Sequence, residues 1–156
     1  MTDSSKTGKE PLPEWDFESA VRFAVSVVGH LQPEGRCLIG HLPPHVAGLI
    51  PGWIALEIFL SFDVRAHYRK RHPETREKEV EQMAIRTILD PDIVIVDRKY
   101  PNTINAFRSL NASDDVMVSI AIAVNENHQN RVKSVRVHPK TRSFELLNDQ
   151  NRGGAR

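Results

Sequence analysis

The segment His67-Tyr-Arg-Lys-Arg-His72 places two imidazoles around three cations. Imidazole gives or takes a proton near neutral pH, and a guanidinium meets a phosphate with a planar pair of donors. Cleaving a ribose phosphodiester without metal needs those functions. A base must deprotonate the 2′-hydroxyl, an acid must protonate the leaving 5′-oxygen, and cations must stabilise the charge that builds at phosphorus. A second set lies in Val132 to His138. If this run is a strand, Ser134, Arg136 and His138 point to one face and Lys133, Val135 and Val137 to the other. Pro139-Lys-Thr-Arg142 follows and adds the Thr141 hydroxyl and the Arg142 cation. Each set also has a plainer reading. A histidine near a helix end is commonly a surface or cap residue, and charges on an edge strand discourage unwanted pairing. The two sets become one site if they face each other across a cleft.

The elements that must position them follow from local pattern. Glu57-Ile-Phe-Leu-Ser61 reads as a strand, after which Asp63 can cap a helix running to about His72. Pro73 ends it, because the residue before proline is pushed out of helical geometry. On that helix His67 and Arg71 are four apart and share a face. His67 and His72 are separated by roughly 140° at 100° per residue, poor geometry for one metal. His-Glu-x-x-His is absent, and Pro43 and Pro44 interrupt the His41 to His45 spacing. No metal site is expected.

Upstream, Phe17, Ala20, Val21, Ala24, Val27 and Val28 have the spacing of one helix face, with Gly29 as a stop. Pro51-Gly52 marks a turn. A further helix is expected after Pro73, with Val80, Met83, Ala84, Thr87 and Ile88 on its apolar face, stopping at Asp90-Pro91. Strands are then predicted over Ile93 to Val96, Thr103 to Phe107, Val116 to Val124, Val132 to His138 and a further short run from Ser143 to Leu147. Short links between them favour antiparallel hairpins. Helices first and strands afterwards imply an α+β layer structure, with N-terminal helices packed on a four- to five-stranded antiparallel sheet. Residues 1–13 and 146–156 are polar and expected to be disordered tails, leaving 14–145 as a single domain.

At 156 residues, with 40% hydrophobic and 26% charged, the chain has the composition of an ordinary globular domain. It has no apolar stretch long enough to cross a bilayer, and Met-Thr-Asp-Ser-Ser-Lys lacks the apolar centre of a secretory signal, so a cytoplasmic address is the default. One cysteine, Cys37, excludes an intrachain disulfide and a Cys-rich zinc site. Net charge is only +1, but from Arg65 to Arg142 there are 15 Lys/Arg against 10 Asp/Glu, clustered at 65–72 and 131–142. Local clusters of this kind attract phosphate even in a nearly neutral chain.

The order of motifs resembles a family. Ile58-Phe-Leu-Ser61, a helix with His67 and Arg71-His72-Pro73, Thr87-Ile-Leu-Asp-Pro-Asp92 before a strand, Asn102-Thr103 and two β-rich segments together resemble the phage-associated nucleases of the barnase, EndoU, colicin and RelE-like superfamily (BECR). The resemblance covers about residues 55–142 and implies a barnase/RelE-like fold and a metal-independent endoribonuclease mechanism by 2′-OH attack. It marks His67, Arg71 and His72, with Asn102 and Thr103 opening the second strand. On the last strand only Ser134 fits the family's polar motif. With the residues read from chemistry, the expected catalytic set is His67, Arg71, His72, Arg136 and His138. Lys70, Lys99, Asn102, Thr103, Ser134, Thr141 and Arg142 are the expected substrate-binding set. RNA is the expected partner, with a protein inhibitor or partner beside it, and no cofactor is implied. The alternative is a non-catalytic module that holds nucleic acid or protein on the same fold.

Overall fold

The computed structural model describes residues 14–71 and 74–154. Helix α1 spans Glu14–Gly29, strand β1 Arg36–His41, the short helix α2 Pro44–Ala47, and β2 Glu57–Ser61. Helices α3 (Phe62–Lys70) and α4 (Glu74–Leu89) follow, then β3 (Ile93–Val96), β4 (Thr103–Ser109), β5 (Asp114–Ala121), β6 (Asn130–Pro139) and α5 (Lys140–Gly154). This is an α+β protein with one six-stranded sheet in the order β1-β2-β6-β5-β4-β3. All neighbours are antiparallel except β2 and β6, which run parallel.

Where a four- to five-stranded antiparallel sheet was expected, the sheet is six-stranded and mixed; β3 to β6 form the antiparallel meander that short links favour. Strand β1 escaped the sequence reading because Gly40 interrupts its alternation. Gly40 has φ 155° at a bulge against β2, and a Cβ there would stand 2.8 Å from Leu89 Cδ2, so glycine lets α4 lie directly on the strand. The parallel pair is held by Asn130, whose side chain is almost fully buried. Its amide donates to the carbonyls of Ala55 (2.7 Å) and Glu57 (3.0 Å) and its carbonyl accepts from the Ala123 N–H (2.8 Å). One buried amide thus pins β2, β6 and the end of β5 together, where an unpartnered polar group would cost about 1–3 kcal/mol.

Helices α1 and α4 cover one face. Val21, Ala24 and Val28 of α1 and Val80, Ala84 and Ile88 of α4 bury against Ile104, Val116, Val118, Ile120, Val132 and Val135 of the sheet. The apolar spacing expected for α4 is the spacing it buries. On α1 Val21, Ala24 and Val28 are buried, but Ala20, expected on the same face, is exposed. Each buried valine or isoleucine contributes about 1.5–3 kcal/mol. Arg86 clamps the two helices through both carboxylate oxygens of Glu18 at 2.7 Å. Ser61, not Asp63, caps α3, its hydroxyl accepting the Val64 N–H at 3.2 Å, because the strand turns into the helix two residues earlier than expected. Where a strand over 143–147 and a tail from 146 were expected, the chain forms α5, which packs on β5 and β6. Among its described side chains the one fully buried is polar, Ser143, while Phe144 is exposed and Leu146 and Leu147 are half-buried, so the segment shows no strong helical apolar stripe. The expected 1–13 tail and His72 lie outside the described residues.

Candidate functional site

The face of the sheet that α1 and α4 leave uncovered carries side chains in rows set by register. Asn105 stands opposite Ser119, and Ser119 opposite Ser134. The neighbouring row is Phe107, Met117 and Arg136, and beyond it Asp115 faces His138. The central row is bonded across the strands. Ser119 Oγ donates to Asn105 Oδ1 at 2.7 Å, and Asn105 Nδ2 donates to Asp97 Oδ2 at 2.9 Å. Asp97 Oδ1 accepts the N–H groups of Lys99 (2.7 Å) and Tyr100 (2.9 Å), which folds the β3–β4 turn over the groove. Burial pushes the Asp97 carboxyl up, but those donors and the Lys133 charge outweigh it and hold it below the usual range. Asp97 is thus a fixed anion whose acceptors are occupied by the protein itself.

A β-bulge decides the cationic side. Ser119 pairs with Ser134 but Ile120 pairs with Val132, so Lys133 is the extra residue on β6. Strict alternation would send Lys133 into the core. Instead its ammonium stands 4.4 Å from the centroid of the Tyr100 ring and 3.5 Å from Thr103 Oγ1, on the open face. The result is a groove of about 700 Å³, whose walls include Lys99, Tyr100, Asn105, Lys133, Ser134 and Arg136. Leu146 of α5 closes one end beside Phe107 and Met117, which explains why those two apolar side chains are buried on an otherwise polar face.

Of the expected residues, Lys99, Thr103, Ser134 and Arg136 come together in this groove. His138 lies farther along the same face of β6, half-buried. Desolvation, then the charges of Arg136 and Arg142, push its imidazole below the ordinary histidine value, against a smaller upward pull from Asp115. Thr141 and Arg142 are exposed in the first turn of α5, where Arg142 pairs with Glu145 at 3.3 Å. Asn102, with φ 55°, turns the chain into β4 and accepts the Ile122 N–H through its carbonyl at 2.8 Å.

The helical set lies elsewhere. His67 and Lys70 are exposed on α3 and Arg71 is its exposed C-cap; none of the three lines the groove. Helix α3 does pack against β6. Its inner side is fixed by Glu81 of α4, which accepts from Arg65 Nε at 2.7 Å and from the Tyr68 hydroxyl at 2.6 Å. Among the described residues no group of three or more His, Cys, Asp or Glu side chains is placed to hold a metal ion, and no helix is long and apolar enough to cross a membrane.

Asp97, Tyr100, Asn105, Ser119 and Lys133 were missed by sequence reasoning. Asp97 had a readable signal, an acidic side chain two and three residues before the amides it accepts, as in an Asx turn. Asn105 and Ser119 are ordinary alternating strand positions, and the bulge that turns Lys133 outward leaves no glycine to betray it. In comparisons with family models, curated proteins and solved structures, nothing matches this chain.

Proposed function

We propose that the open face of the sheet holds single-stranded RNA and that the protein is a ribonuclease-type domain of the barnase and RelE-like kind. The observation that supports it is the convergence of Lys99, Lys133 and Arg136 around a bonded polar row and the Tyr100 ring, on the one sheet face that α1 and α4 leave open. Cations neutralise phosphates, an aromatic ring stacks on a base, and hydroxyl and amide groups meet base edges and the 2′-hydroxyl. Chain-ordered antiparallel strands β3 to β6, with helices on one face, support the barnase and RelE-like reading of the fold. Fluorescence anisotropy with an oligouridylate across a salt series tests binding. Three cations neutralising one phosphate each give a slope of log affinity against log salt of about −2. A flat salt response sinks the reading.

Cleavage is the second part, supported by His138. A depressed imidazole beside Arg136 is neutral at pH 7, ready to take a proton, with a cation adjacent for the charge that follows. His67 is exposed on α3 and does not line the groove, so the leaving 5′-oxygen takes its proton from solvent. The expected result is RNA cleavage in excess EDTA that leaves 2′,3′-cyclic phosphate ends, slowed about 100-fold in His138→Ala. Full activity in that variant, or a requirement for magnesium, removes the catalytic reading. RNA retained without any product leaves a binding module.

A further inference from the structure

The open face does not end at the groove. Across β6, β2 and β1 a second hollow of about 610 Å³ is walled by Arg36, Phe59, Ser61, His128, Arg131 and Lys133. Lys133 belongs to both hollows, so they are neighbours along one face. Register explains the walls: Phe59 of β2 stands opposite Leu38 of β1 and Arg131 of β6, and Arg36 opposite Ser61. The Arg36 guanidinium lies 5.8 Å from the centroid of the Phe59 ring. The groove repeats this device, with Lys133 over Tyr100 at 4.4 Å. Glu126 is the one carboxylate on the second hollow's walls, and among the described residues neither Arg36 nor Arg131 is in an ion pair.

Two aromatic rings, each beside a cation and joined by a shared lysine, match the repeat of a single nucleic-acid strand, in which bases alternate with phosphates. A half-buried phenylalanine on the face that α1 and α4 leave uncovered, with Val64 of α3 at the hollow's rim, presents its ring where a base can stack. We infer that the second hollow is a further nucleotide station on the same strand path. Phe59 stacks a base there, and Arg36 and Arg131 hold the phosphates on either side. This rests on the reading of the open face as an RNA site, and extends the bound strand beyond the groove toward the β1 edge.

The test compares uridylate oligomers of about four and about ten nucleotides, lengths that separate occupation of one hollow from occupation of both. Wild-type protein binds the longer oligomer more tightly than a statistical gain in sites explains. Phe59→Leu, which keeps the apolar volume and removes the ring, weakens the longer oligomer about tenfold and leaves the shorter one unchanged. Arg131→Ala lowers the salt slope of the longer oligomer by about 0.7 and does not alter that of the shorter. If Phe59→Leu and Arg131→Ala leave the longer oligomer unaffected while Tyr100→Ala weakens both, the second station is wrong and the groove reading stands. Equal losses for both lengths in Phe59→Leu also overturn it, since the ring then acts through the groove or the fold. If neither oligomer binds wild-type protein, the open-face reading falls with it.

Discussion

Glu81→Ala is expected to lower the stability of the fold by about 3–5 kcal/mol, read as a shift in urea midpoint at constant slope. Glu81 is 9% exposed and its carboxylate takes three donors, Arg65 Nε at 2.7 Å, Arg65 Nη2 at 3.1 Å and the Tyr68 hydroxyl at 2.6 Å. Removing it strands a guanidinium whose side chain is only 15% exposed, together with a buried phenol. The cost is that of the uncompensated groups, so Glu81→Leu with Arg65→Met should recover most of it. Burial raises the Glu81 carboxyl, but the hydrogen bonds from Arg65 and Tyr68 and the Arg65 charge hold it below the ordinary range. A depressed carboxylate contributes stability that is fully present above its unfolded value of about 4.3 and is lost as pH falls through the lower folded value. The wild type should therefore lose stability on that acid leg more steeply than Glu81→Ala. A loss below about 1 kcal/mol in the alanine variant would show that this cluster does not hold α3 against α4.

The same cluster shows what the sequence disclosed and what it did not. The apolar spacing of α4 was legible at Val80, Ala84 and Ile88, because burial on one face needs one periodicity. The role of Glu81 was not legible, since its partners Arg65 and Tyr68 lie on another helix, 16 and 13 residues away. Strands β3 to β6 announced themselves through alternation and turn residues, whereas β1 was hidden by Gly40 and its bulge. The parallel β2–β6 pairing depends on Asn130, a residue whose type alone suggests a turn. The site followed the same rule. Ser134, Arg136 and His138 share a face by strict period-two counting, and they do so in the structure. Lys133 defies that counting because the irregularity lies in pairing with β5, which no local pattern encodes. The His67 to Arg71 segment was the most conspicuous chemistry in the chain, yet conspicuous composition on an exposed helix says nothing about which cleft it borders.

Lys133→Glu combined with Arg136→Glu should reduce affinity for single-stranded RNA by about a thousandfold at low salt. The magnitude follows from charge alone. Two attractions become two repulsions, a change of four unit interactions at roughly 1 kcal/mol each for solvated charges near 4 Å. Because this term is screened, the deficit should shrink steeply as salt rises through the range where the Debye length falls to about 8–10 Å and below. Arg136 is exposed, and Lys133 is the bulged residue rather than part of the apolar core, so the double variant should keep the fold, with a modest fall in melting temperature from the lost Lys133 contacts to Tyr100, Thr103 and the Asp97 charge. That separates loss of ligand from loss of fold. The matching reversal on α3, Lys70→Glu with Arg71→Glu, removes the same charge from an exposed helix end that borders no part of the groove. If RNA lies where Lys133 and Tyr100 meet, the α3 pair costs much less than the β6 pair. The opposite order would move the site to α3 and return the His67 segment to the centre of the chemistry, because long-range attraction is shared by both variants and only contact with phosphate distinguishes them.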